Sequence, residues 1–286
     1  HCWKKKGHGY MDMRTAIQRS CDVYFYEIAK RLGVDRLSET AKKFGLGQKV
    51  LPGFSEEKVG VVPNTKWKKK FIGQNWYLGE TLHSGIGQGY YLSSPMQLCL
   101  MTAQIANGGY QIKPRIILDP NKKQNNLKQY IDYKNNNPND PLPTDLLVSN
   151  FDLNPLFRNQ ENINFIKDAM FAATNEPGGT SYRSRMTSKK FMFAGKTGSS
   201  QVKRFTAAQR EAEIKQNEIV YEDRDHALFV AFAPFHNPKY SISVIVEHGG
   251  SGSSAAAPIA KKVIKHVLEK DEARTMIDHN SGGLKI

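Results

Sequence analysis

The sequence predicts a mixed α+β fold: an antiparallel sheet flanked by helices, with a helical subdomain. Three observations carry this. The regular segments up to Ala173 read as helices, separated by loops. Two apolar runs, Ala227–Ala233 and Tyr240–Glu247, then flank the short link Pro234–Lys239, as the strands of an antiparallel hairpin would. A last helical pattern closes the chain. Helices first, then a hairpin and a terminal helix, argue one mixed domain with a helical half and a sheet half.

The elements follow in order. Residues 13–32 are helical in pattern, with a break at Ser20-Cys21-Asp22. Beyond the break, Val23–Ala29 is apolar nearly all round, as in a buried helix. Gly33 stops it; Asp35 then caps a short helix over 36–44, which Gly45 ends. Residues 46–84 carry Gly and Pro punctuation and read mostly as loop. Ser94-Pro95 is a helix start, a capping serine with proline at the first helical position, and that helix runs to Ala106 before Asn107-Gly108-Gly109. Residues 119–150 are rich in Asn, Pro and Lys and read as a surface excursion.

Over 160–173 the positions Ile163, Ile166, Ala169, Met170 and Ala173 share one helix side, and Glu176-Pro177-Gly178-Gly179 ends it. Phe191–Ala194 is strand-like, and the charged stretch 203–224 is an excursion between strands. The final helix covers about 255–272. One domain over 1–273 and a loose tail over 274–286 result, with no internal repeat.

With 286 residues and 39% hydrophobic content, the chain can bury a sizeable core. No run approaches the roughly 18 apolar residues that span a bilayer. Forty-one Lys+Arg against 27 Asp+Glu leave a net charge of +14, which suits an anionic polymer, lipid head groups or nucleic acid. No zinc-finger spacing or aromatic-rich basic signature supports nucleic acid. The clusters Lys4-Lys5-Lys6 and Lys68-Lys69-Lys70, beside Trp3 and Trp67, fit a membrane-proximal or loop surface as well. Three cysteines make no disulfide framework.

Gly195-Lys196-Thr197 ends like a nucleotide-binding phosphate loop. That loop needs a glycine five positions before Gly195, and Lys190 stands there. The surrounding KKFMFAGKTGSSQV is extended and part apolar, which puts Lys196 on or at the end of a strand. Side chains alternate along a strand, so Thr197 and Ser199 share a side. Two hydroxyls beside a cation can hold a carboxylate, and Gly198 lets a ligand lie flat against the backbone. The Ser199 N–H could stabilise an oxyanion. Taken singly, Ser20 and Asp22 read as helix-capping residues and Lys196 as a sheet lysine.

Ser20-Cys21-Asp22 together with Lys196-Thr197-Gly198 resembles the second and third motifs of penicilloyl-serine transferases. The resemblance extends to GHGYMDMRTAIQRSCDVYFYEIAKRLGVDRL, LHSGIGQGYYLSSPMQL, TNEPGGTSYRSRM, FAGKTGSSQ, DHALFVAFAP and VEHGGSGSSAAAPIAKKV. These look like the transpeptidase domain of the penicillin-binding protein 2 family, class B and elongation type, over most of residues 1–270, with a β-lactamase/transpeptidase-like fold. The resemblance implies D,D-transpeptidation of peptidoglycan stem peptides by serine acyl transfer from D-Ala-D-Ala. Ser20 would then shuttle a proton to the leaving amine, and Asp22 would contact the substrate amide. Lys196 would supply positive field and tune Ser20. Thr197 and Ser199 would bind the terminal carboxylate of the stem peptide. Stem peptides, β-lactams and a lipid-linked glycan polymerase are the implied partners, with no nucleic acid. The implied location is the periplasmic face of the inner membrane, with an anchor upstream.

The family's nucleophile lies in Ser-x-x-Lys, expected upstream of His1. Ser55-Glu56-Glu57-Lys58 has the spacing, but it follows the second motif and sits in a Gly/Pro-rich loop. The fragment alone is therefore expected to be inactive. No cofactor is required. Cys2, His8 and Cys21 are soft ligands near the second motif and could hold a structural zinc. The alternatives are a serine β-lactamase and a non-catalytic β-lactam-sensing module.

Overall fold

The structure is a computed structural model that describes residues 2–4, 6–51, 53–116, 132–133, 135–137, 151–203 and 218–280. Eight helices and five strands run along the described residues: α1 (Met13–Arg19), α2 (Asp22–Leu32), α3 (Val34–Lys43), α4 (Thr65–Phe71), α5 (Leu78–Gly85), α6 (Pro95–Ala106), β1 (Tyr110–Ile112), β2 (Phe151–Pro155), α7 (Gln160–Asn175), β3 (Ala194–Ser200), β4 (His226–Ala233), β5 (Tyr240–Val246) and α8 (Ala257–Asn280). The chain forms two compact units, one of His1–Lys5 with Asp22–Lys167 and one of Lys6–Cys21 with Asp168–Ile286.

The first unit is largely helical. Helix α2 packs on α5 so closely that a Cβ at Gly85 would stand 2.4 Å from the Ala29 Cβ. Only glycine permits that approach. Helix α6 starts as expected, with a capping box: Gln97 N donates to Ser94 Oγ at 3.2 Å, and Ser94 N to Gln97 Oε1 at 3.1 Å. Buried Gln97 also donates to the carbonyls of Gln48 and Val59, tying the helix to its preceding loops. Strands β1 and β2 form a two-stranded antiparallel pair.

Three expectations for this unit are corrected. Residues 46–84 hold two helices as well as loop. Helix α4 is capped by Asn64, whose Oδ1 accepts from Trp67 N at 2.7 Å. Asp35 does not cap its own helix, which begins at Gly33 and Val34. Its Oδ1 accepts from Thr65 N and Oγ1, both at 3.0 Å, and so steadies the start of α4. Lys68, expected on a membrane-proximal or loop surface, is only 1% exposed and pairs with Glu80.

The second unit is built on the antiparallel sheet β3-β4-β5. Its core alternates as half-buried strands must: Ala227, Phe229, Ala231 and Ala233 of β4 are fully buried. They pack with Phe193 and with Ala257, Ala260, Ile264 and Leu268 of α8. Phe193 and Phe229 meet edge to face with centroids 6.2 Å apart. Each buried aromatic of this kind contributes about 1.5–3 kcal/mol relative to exposure. The expected hairpin is β4–β5, in register from Ala227↔Val246 to Ala233↔Tyr240. The first strand of the sheet begins at Ala194 and not at Phe191, because Lys189–Phe191 form a 3₁₀ turn. Helix α8 continues to Asn280, past the start of the expected tail at 274. Most of the 119–150 and 203–224 excursions, and residues 281–286, lie outside the described residues.

Candidate active site

Ser20 terminates α1 in the left-handed region, at φ 55° and ψ 56°. Few non-glycine residues adopt it, and such strain costs on the order of 1–3 kcal/mol. The surrounding contacts hold it there. Ser20 N donates to Ile17 O, and Cys21 N returns to Ala16 O at 2.9 Å. At the other end Asp12 caps α1, accepting from Thr15 N at 2.7 Å. Hydrogen bonds from Thr15 hold the Asp12 carboxyl below its ordinary range.

Helix α1 is fastened along its side. The Arg14 guanidinium grips Glu176 and Asp168, with Nη1 to Glu176 Oε2 at 2.9 Å. Those hydrogen bonds raise the Arg14 pKa above its usual value. Buried Gln18 donates through Nε2 to Pro177 O at 3.3 Å. The turn after α7 therefore wraps α1. Gly179 makes the wrap possible, since a Cβ there would stand 2.4 Å from Ala173 O.

Lys196 comes from β3, paired opposite Val230. Its Nζ donates to Ser20 Oγ at 2.9 Å and to Thr197 O at 3.0 Å, across 176 residues of chain in the first case. Thr197 Oγ1 donates to Thr180 Oγ1 at 3.0 Å. Gly198 and Ser199 follow on the same strand and are exposed. Gly198 is backed by Gly252, where a Cβ would lie 2.6 Å from Gly198 O and 2.3 Å from Leu228 O. Among the described residues β3 is an edge strand, so its outer side can receive an extended ligand. The structure thus brings Ser20, Lys196 and Thr197 together, with Gly198 and Ser199 continuing the strand. Thr180, Gln18, Arg14 and Gly252 support them and had no role in the sequence reading. The sequence signal was that all four lie in segments that carried the resemblance, with no function assigned to them.

The remaining candidates are placed as follows. Asp22 is the first residue of α2, in the first unit, and its Oδ2 accepts from Trp3 N at 3.0 Å. His8 and Cys21 belong to the second unit, with a ring nitrogen and Sγ within 4.8 Å of each other. Cys2 belongs to the first unit and is half-buried. No disulfide joins the three cysteines. Ser55-Glu56-Glu57-Lys58 is a structural loop: buried Glu57 accepts from Val50 N and Leu51 N at 2.9 Å, while Ser55 and Lys58 are exposed. Ser200 and Lys203 share the same spacing, but Lys203 pairs with Asp223.

A strand-borne lysine thus donates to a serine at a helix end, with threonines on the next strand position and on the facing turn. The chain belongs to the family of penicillin binding protein transpeptidase domains, whose model matches residues 1–265.

It is 32% identical over 276 residues to the peptidoglycan D,D-transpeptidase MrdA of Salmonella typhimurium, covering 96% of this chain and 41% of that protein. MrdA of Escherichia coli K12 is 30% identical over 269 residues, 94% of this chain and 39% of the relative. The chain therefore spans about two fifths of the curated relatives it matches. Among solved structures, the complex of Helicobacter pylori PBP2 with MreC matches at TM-score 0.71 and 31% identity, covering 94% of this chain and 42% of that one. Pseudomonas aeruginosa PBP2 in complex with WCK 5153 matches at TM-score 0.71 and 35% identity, covering 94% and 51%. Among the described residues no helix is long and apolar enough to cross a membrane.

Proposed function

We propose that the protein containing this chain is a peptidoglycan D,D-transpeptidase of the elongation type. The observation that carries the reading is the 2.9 Å hydrogen bond from Lys196 Nζ to Ser20 Oγ. In this reading a serine of a Ser-x-x-Lys segment outside the 286 residues attacks the carbonyl of the penultimate D-Ala. Its bond to the terminal D-Ala breaks, leaving a serine ester, and an acceptor amine then takes the acyl group. An ammonium only donates, so Ser20 Oγ is the acceptor in its bond with Lys196. In this reading the proton of the Ser20 hydroxyl is the one passed to the departing amine. The ammonium also sets a positive field where negative charge develops. Thr197 and Ser199 bind the substrate carboxylate, Gly198 lets the peptide lie along β3, and Asp22 contacts the acyl amide.

The test is labelling of the full-length protein with a fluorescent penicillin. The wild type is expected to react, and Lys196→Ala to react at least about a hundredfold more slowly, the range typical of lost acid–base and electrostatic assistance. Equal rates for both would remove the basis of the proposal. The site is expected to work on the periplasmic face of the inner membrane, with a lipid-linked glycan polymerase and, as for the Helicobacter pylori relative, an MreC-like partner.

We also propose that Cys2, His8 and Cys21 hold a structural zinc. Two thiolates and an imidazole are the donors zinc prefers, and His8 lies beside Cys21 as a shared ligand set requires. Bound there, zinc would order the segment leading to Ser20 and take no part in the chemistry. Elemental analysis of the full-length protein should find about one zinc per chain, lost in Cys21→Ser. A zinc-free, fully folded preparation would dismiss it.

A further inference from the structure

We infer that Thr180 is a positioning residue that sets the carboxylate affinity of the site by orienting the Thr197 hydroxyl. The inference rests on the acyl-transfer reading above and assigns a specificity role to a residue outside its motifs.

Thr180 is bound to both halves of the site at once. Its backbone N donates to Gln18 O at 3.2 Å, two residues before Ser20 on α1. Its hydroxyl accepts from Thr197 Oγ1 at 3.0 Å, on β3. The turn that carries it cannot drift. Thr174 and Ser181, both buried, share a hydrogen bond at 3.2 Å. Ser181 Oγ donates its proton to Ala173 O at 3.0 Å, so Thr174 is the donor between the two hydroxyls, with Gly195 O of β3 3.4 Å from its Oγ1. Gly178 and Gly179 give the turn its tight path, the first with φ +87°. Thr180 is therefore fixed relative to the Ser20 end of α1 and to the strand of Lys196 together.

A hydroxyl has one proton and can exchange donor and acceptor roles with a neighbouring hydroxyl. Without ligand, Thr197 donates to Thr180. When a carboxylate arrives, the Thr197 proton must turn toward it. Thr180 can then reverse the bond, donating its own proton to Thr197 Oγ1. The reversed bond keeps Thr197 in one rotamer and polarises its O–H toward the anion. Thr180 does not touch the carboxylate in this arrangement. A valine there keeps the shape and the backbone bond to Gln18 but cannot donate.

The experiment uses the full-length protein and two ligands, a penicillin with its carboxylate free and the same penicillin as its methyl ester. The readout is the ratio of their second-order acylation rates. Both rates come from one preparation, so the ratio does not depend on the fraction folded. For Thr180→Val the free-acid rate is expected to fall about tenfold, the worth of one hydrogen bond to a charged ligand system, with the ester rate unchanged. Thr180→Ser, which keeps the hydroxyl, is expected to restore the wild-type ratio. An unchanged ratio in Thr180→Val, whether both rates hold or both fall together, overturns the inference, because a merely structural role moves both alike. Failure of Thr180→Ser to restore the ratio also overturns it. A wild type that neither ligand labels sinks the acyl-transfer reading itself and this inference with it.

Discussion

Lys68 shows how far one side chain can depart from what its neighbours suggest. It stands first in Lys68-Lys69-Lys70, and its two companions are exposed while it is 1% exposed. Its ammonium pairs with Glu80 and lies 4.6 Å from the Tyr77 ring centroid. Glu80 in turn accepts from Tyr77 N at 2.8 Å and from Tyr90 OH at 3.4 Å. Burial pushes the Glu80 carboxyl up, but the hydrogen bonds from Lys68, Tyr77 and Tyr90 outweigh it and hold the group below its ordinary value. A carboxyl depressed in the folded state stabilises it fully above the unfolded value of about 4.3. That stability is lost as pH falls through the lower folded value. Glu80→Gln leaves a buried ammonium without its counter-charge, so about 3 kcal/mol should be lost at pH 7 in urea unfolding. The variant should also lack the wild-type loss of stability as pH falls below the ordinary carboxyl value of about 4.3. A wild-type midpoint for Glu80→Gln would mean that the pair does not stabilise the fold.

Elements were legible where their signals are local. The break between α1 and α2, the Ser94-Pro95 start of α6 and the β4–β5 hairpin all follow from caps, turn residues and periodicity within a few positions. Helices α4 and α5 were not, because they are short and their ends rest on distant partners. Asp35 steadies α4 from 30 residues away, and Gly85 serves the contact with Ala29. Strand β3 is Ala-Gly-Lys-Thr-Gly-Ser-Ser, poor in strand formers, and is held by seven register pairs with β4. The site divides in the same way. The motif residues could be named through resemblance, but no spacing rule joins Ser20 to Lys196 across 176 positions. The hydroxyl pair of Thr180 and Thr197 arises only once the turn after α7 and β3 are assembled.

At the scale of the whole chain, the net charge of +14 needs a partner chemistry of its own. Among the described residues Lys196 bonds to Ser20 and Arg14 braces α1, while Lys69 and Lys70, for example, face solvent. Such a surface attracts an anionic polymer over distances longer than any contact, and raises its local concentration without adding specificity. Peptidoglycan stem peptides carry carboxylates, so the proposed substrate has the complementary sign. This attraction is screened by salt, whereas the hydrogen bonds of Thr197 and Thr180 act at contact distance. Between 0.1 and 1 M salt the Debye length shrinks from about 10 to about 3 Å. Binding of the full-length protein to isolated peptidoglycan sacculi should therefore weaken at least about tenfold over that range. Acylation by a small penicillin, which presents one charge at the site, should change only about twofold. If sacculus binding holds constant across the salt series, the basic surface does not recruit the substrate, and its charge must serve another partner.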